Sequence, residues 1–221
     1  MKKYKKALFV LAISMLLLAG VGTVKAQAAV SRSKAITMYN SAIRNWGKKY
    51  STTTIVHALH SGSGVYSPCG LVGKRVSLRP LYTGSPRYIF ADLNGDGTVE
   101  ALFYNSRYIY LFTIYGGKVR SLGAICVHEA NTPVYVYYNS KLKTFSLRMN
   151  PILRMTVVKN FRIRNGRLSY LNSFGRYTGP MNSNFKMQYE YFVNGYKRSN
   201  AYYRKYYSTY IGSARRYNWG P

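Results

Sequence analysis

The chain has 221 residues, with 33 Lys plus Arg against 5 Asp plus Glu, a net charge of +28 at neutral pH. So large a positive field favours polyanionic partners and opposes self-association, so a monomer is expected. With only five carboxylates, chemistry that needs several acidic side chains has little to draw on.

The first 28 residues read as a secretory signal peptide. "MKKYKK" is a basic start, "ALFVLAISMLLLAGVGTV" an apolar run, and Ala26 and Ala28 supply the small-residue cleavage pattern. The apolar run is close to spanning length, so an uncleaved anchor is the alternative. Cleavage after Ala28 would remove Lys2, Lys3, Lys5, Lys6 and Lys25. It would leave 28 basic and 5 acidic residues, a net charge of +23. The expected location is secreted, with no stable membrane insertion after cleavage and association with the cell wall as an option. The expected partners are anionic extracellular polymers or surfaces: wall polymers, glycans, lipid head groups or nucleic acid.

Residues 29–50 form the first predicted element. Ser31 or Ser33 can cap a helix, and Ile36, Tyr39, Ile43 and Trp46 make one apolar stripe. Residues 51–86, rich in Gly, Ser and Pro, read as irregular chain with one or two short strands. From Arg87 the pattern is strand after strand. Turn signals fall at Gly116-Gly117, Asn139-Ser140 and Asn165-Gly166. "QYEYFVNGYK" gives a last strand and turn. Ser199 or Asn200 can cap a closing helix to about Ile211, with Tyr203, Tyr206, Tyr207 and Tyr210 on one face. That face packs in a core, or it offers stacking surface to a glycan or single-stranded nucleic acid. Residues 212–221 read as a mobile tail. The fold class is α+β: mainly an antiparallel β-meander over 87–211, with a helix at each end.

The motif that stands out is "DLNGDGTVE". Three of the five carboxylates, Asp92, Asp96 and Glu100, lie within nine residues. With Asn94 and the Thr98 carbonyl they form an alternating oxygen set of the kind a hard cation needs, and Gly95 and Gly97 permit the sharp turn. The assignment is a structural Ca2+ site at Asp92, Asn94, Asp96, Thr98 and Glu100. The alternatives are a bare hairpin, since Asn-Gly and Asp-Gly are both turn dipeptides, and neutralisation by nearby Lys or Arg. An EF-hand would need a carboxylate at its twelfth position, where this chain has Phe103.

"DLNGDGTVEALF" resembles the calcium loops of FG-GAP or VCBS-type hairpins, and more closely those of a class of secreted Firmicutes β-meander proteins. "YIYLFTIYGGKVRSLG" and "YFVNGYKRSNAYYRKYYSTY" are similar to the strand–turn–strand and closing helix of that class. The resemblance covers roughly residues 88–211. It implies a calcium site and a β-rich fold, and it implies no particular activity. One copy of the loop does not support a complete propeller.

Other candidates are sparse. Cys69 and Cys126 are either a disulfide, worth roughly 4 kcal/mol in the chain-entropy model, or two buried thiols. His57 and His60 are too few ligands for zinc. Cys126 and His128 would share a strand face, and Glu129 and Glu190 are isolated carboxylates. No nucleophile elbow or phosphate-binding Gly loop occurs. The reading is therefore a secreted, calcium-stabilised, basic and non-enzymatic protein that binds wall or glycan surfaces. The alternatives are a secreted hydrolase acting on such polymers and a charge-driven antimicrobial or nucleic-acid-binding protein.

Overall fold

The computed structural model describes residues 29–59, 72–127, 133–149, 155–181 and 187–220. Residues 1–28, read above as a signal peptide, and His60, Cys69, His128 and Glu129 lie outside them. The described chain is α+β, with antiparallel strands predominating and a helix near each end. None of its described helices is long and apolar enough to cross a membrane.

Four layers stack as helix, sheet, sheet, helix. Helix α1 (Arg32–Lys48) covers the first sheet, which holds β1 (Thr52–Leu59), β2 (Arg75–Ser77), β3 (Arg87–Ala91), β4 (Glu100–Tyr104), β5 (Tyr108–Tyr115) and β6 (Lys118–Val127). Its strand order is β2-β1-β6-β5-β4-β3. A short helix, α2 (Arg79–Thr83), joins β2 to β3. The second sheet holds β7 (Val134–Asn139), β8 (Thr144–Met149), β9 (Met155–Arg164), β10 (Arg167–Met181), β11 (Met187–Val193), β12 (Tyr196–Arg198) and β13 (Arg215–Tyr217), in the order β12-β11-β10-β9-β8-β7-β13. Helix α3 (Asn200–Tyr207) and a π-helical turn (Ser208–Gly212) cover its outer face.

The period of two in the strands builds these layers. In β4, Leu102 and Tyr104 enter the core between the sheets, whereas Ala101 and Phe103 face α1. In β9, Phe161 and Ile163 enter the same inter-sheet core, whereas Val158 faces α3. Both faces of the central strands are buried, which explains their near-continuous apolar sequence.

The hairpins β5–β6, β9–β10 and β11–β12 turn at Gly116-Gly117, Asn165-Gly166 and Asn194-Gly195. Ser199 caps α3 by accepting from the Tyr202 amide. Tyr203, Tyr206, Tyr207 and Tyr210 pack around Phe174, with ring centroids 5.8–6.4 Å away. The tyrosine face thus packs against the core with its rings half-buried. It is fixed by a polar chain in which Asn160 donates to Asn172 at 2.7 Å, and Asn172 donates to the Tyr210 hydroxyl at 2.7 Å.

Three details differ from the sequence reading. The buried stripe of α1 runs through Ala35, Tyr39, Ile43 and Gly47, with Trp46 at its flank. A Cβ on Gly47 would come within 2.3 Å of the Tyr82 Cβ, so glycine lets α2 pack against α1. The described part of residues 51–86 is more regular than expected. Its strand β1 has eight residues and lies parallel to β6, closing the meander on a long-range pair that local turn signals do not report.

The expectation of a mobile tail over residues 212–221 is corrected. Strand β13 pairs with β7, and Trp219 donates from Nε1 to the Val134 carbonyl at 2.6 Å. Gly220 exchanges backbone hydrogen bonds with Tyr88. The physical reason is an open sheet edge at β7, with apolar surface beside it that Tyr217 and Trp219 cover.

Candidate functional site

The β3–β4 connection brings Asp92, Asn94, Asp96, Thr98 and Glu100 together in one turn. Gly95 and Gly97 adopt φ of 74° and 83°, which side-chain-bearing residues rarely do. The Asp92 carboxylate accepts from the Gly95 amide at 2.6 Å and from the Gly97 amide at 2.9 Å. Asp96 accepts from the Thr98 amide at 2.8 Å. Asn94 donates from Nδ2 to Asp96 and to Glu100, at 2.9 Å each. Two carboxylates therefore converge on one donor, at the mouth of a loop that backbone amides hold in shape.

Glu100 is fully buried. Its carboxylate accepts from the Leu93 amide at 2.7 Å and from the Thr113 hydroxyl at 3.1 Å. Burial pushes its pKa up to about 8; the Asp96 and Asp92 charges add to this, while the Leu93 and Thr113 bonds oppose it. Tyr138 reaches over from β7, and its hydroxyl would lie 2.7 Å from a Cβ on Gly95. Burial and the Asp92 charge raise its pKa to about 12. Tyr39 donates to the Val99 carbonyl at 2.8 Å and so ties α1 to the end of the loop.

Among the described residues, no Lys or Arg forms an ion pair with these three carboxylates. Neutralisation by direct salt bridges is not how the chain tolerates them. Backbone amides and the Asn94 side chain carry that role. Nor do three His, Cys, Asp or Glu side chains converge as a ready-made metal cage among the described residues, because both Asp92 oxygens are turned to amides. The donor chemistry suits a hard cation: carboxylate and amide oxygens at alternate positions, a buried carboxylate behind them, and glycines at both turns. Asn94 and Asp96 open onto a cleft of about 1000 Å³ whose lining also includes Lys141, Lys143, Arg162 and Arg164.

The remaining candidates are placed apart. Cys126 is disulfide-bonded, so it offers no thiolate nucleophile; Cys69 is the only other cysteine in the sequence. Glu190 pairs with Lys197 on the β11–β12 hairpin. His57 stacks on Tyr170 with centroids 4.4 Å apart, and its Nε2 lies 3.3 Å from Lys159 Nζ.

Lys159 itself was missed. It is 7% exposed and donates to the Ala58 carbonyl at 2.6 Å, which joins the second sheet to the first. Burial lowers its pKa to about 8. Its signal was available, since Lys159 takes the inward position in the alternation Val157, Lys159, Phe161, Ile163.

No family model, curated protein or solved structure matches this chain.

Proposed function

We propose that the chain is a secreted, calcium-stabilised, non-enzymatic protein that holds anionic wall or glycan polymers on its basic surface. The observation that carries this reading is the 92–100 loop, where Asp96 and Glu100 converge on Asn94 without an ion-paired base among the described residues, and Asp96 opens onto a cleft lined by four cations. Asp92, Asn94, Asp96, the Thr98 carbonyl and Glu100 would hold the metal. Bound calcium would supply positive charge between carboxylates that otherwise repel one another. The net charge supports an anionic partner, and the resemblance to secreted β-meander proteins supports the calcium.

Extracellular calcium sites work with dissociation constants of roughly 0.1–1 mM. At tenfold excess the metal would add about 1.4 kcal/mol, or about 4 °C in Tm for a domain of this size. The test is thermal melting of the protein lacking residues 1–28 in EDTA, magnesium or calcium, with Asp96→Ala alongside. A calcium-specific rise that the variant lacks is expected. Identical curves in all three conditions would remove calcium from the proposal.

A further inference from the structure

Between the outer face of the second sheet and the C-terminal helix lies a pocket of about 330 Å³ that the calcium reading does not use. Arginines from three separate elements line it: Arg148 on β8, Arg176 on β10 and Arg204 on α3. The fold brings them together by register. Arg176 pairs with Thr156 on β9, and Arg148 pairs with Val158, two residues further along the same face. Thr156 is therefore the direct neighbour of Arg176 and a diagonal neighbour of Arg148. Above them, Arg204 and Ser208 are four residues apart at the end of α3, so they share a helical face. Three arginines and two hydroxyl-bearing residues thus line one pocket.

One of the arginines is also positioned by a ring. Arg176 lies over the Tyr189 ring at 5.0 Å. The Tyr203 hydroxyl, raised by burial, is pulled back by the fields of Arg176 and Arg148, so both charges bear on a common point. None of the described carboxylates lines the pocket: three are in the 92–100 loop and Glu190 is on Lys197. Like charges gathered along one pocket make it attractive to an anion.

We infer that this pocket is an oxyanion site that takes a phosphate group, as a monoester or a diester. Guanidinium forks match phosphate oxygens in bidentate pairs, and donors from three directions suit a tetrahedral anion better than a flat carboxylate. Thr156 and Ser208 would donate to its remaining oxygens. The inference rests on the reading of the chain as a binder of anionic polymers, and it names both the contact and the ligand chemistry. By strand parity, it lies across the second sheet from the inter-sheet layer that holds Glu100.

The test uses the disulfide-intact chain without residues 1–28, with calcium present at low salt. Inorganic phosphate is titrated by calorimetry. A soluble poly(glycerol phosphate) and phosphatidylglycerol vesicles then present the same diester from a polymer or a lipid surface. The Arg176→Gln/Arg204→Gln pair is compared with Arg32→Gln/Arg44→Gln, which removes the same charge from exposed positions of α1. Thr156→Val removes one hydroxyl and no charge.

The expected result is a loss of phosphate affinity of tenfold or more in the first pair, less than twofold in the second, and about threefold for Thr156→Val. The preferred diester source should lose binding in the same order. Equal losses in the two arginine pairs, no loss in either, or no phosphate binding by the parent chain would overturn the pocket. If the parent chain binds the polymer and the pocket variants bind it equally well, only the pocket falls. If the parent chain binds no anionic polymer at low salt, the wider reading falls with it.

Discussion

Replacing Lys159 by Met tests whether a buried ammonium opposes folding at neutral pH. Lys159 is enclosed between the sheets, with one bond to the Ala58 carbonyl and His57 beside it. Its pKa falls from 10.5 to about 8, and the cause is burial. Below pH 8 both folded and unfolded chains carry the charge, so the folded state bears a penalty of about 3 kcal/mol from that fall.

Between pH 8 and 10.5 the unfolded chain binds more protons than the folded one. Stability contributed by this group therefore rises with pH across that window and levels off above it. From pH 7 to pH 10 the gain is about 2.5 kcal/mol. Tyrosines titrate in the same range, but they are common to parent and variant and cancel in the difference.

At pH 7 the Met variant gains the desolvation term. It loses a charged hydrogen bond and strands the Ala58 carbonyl, at a cost of about 1–3 kcal/mol, so its net change is small. The informative quantity is the pH dependence. Urea unfolding at pH 7, 8, 9 and 10 should show the parent gaining about 2.5 kcal/mol on Lys159→Met by pH 10. Parallel stability curves would refute the reasoning, because they would mean that Lys159 keeps its ordinary basicity in the folded chain.

The other expectations concern the loop and the tail. Gly95→Ala places a Cβ at φ 74° and within 2.7 Å of the Tyr138 hydroxyl; a loss of about 1–3 kcal/mol is expected, with weaker calcium stabilisation, read by melting with and without the metal. An unchanged melt would show that the loop tolerates a side chain there. Trp219→Ala removes the bond to Val134 and the packing on Tyr104, with centroids 5.5 Å apart. The expected cost is about 2–3 kcal/mol by urea unfolding; a tail that did not dock would cost nothing.

Local pattern alone determined much of this protein. Period-two alternation and the Gly-Gly and Asn-Gly turns marked the hairpins, because a hairpin is specified by neighbours in sequence. The helical stripe through Tyr39 and Ile43 and the Ser199 cap marked the end helices. The acidic loop was legible as one unit because its oxygens alternate within nine residues.

Only the tertiary structure decided what depends on distant chain. The parallel β1–β6 pair, the docking of β13 on β7 and the division of the strands into two facing sheets join residues far apart, and no local signal reports them. The same holds for chemistry. Sequence placed Lys159 in an apolar alternation, but burial between two sheets is what lowers its pKa. Arg148, Arg176 and Arg204 are three unremarkable basic residues in the sequence, and strand register with one helix turn gathers them into a pocket. Sequence fixes the kind of charge, whereas the fold fixes its distance to other charges and to water, and those distances set the energies.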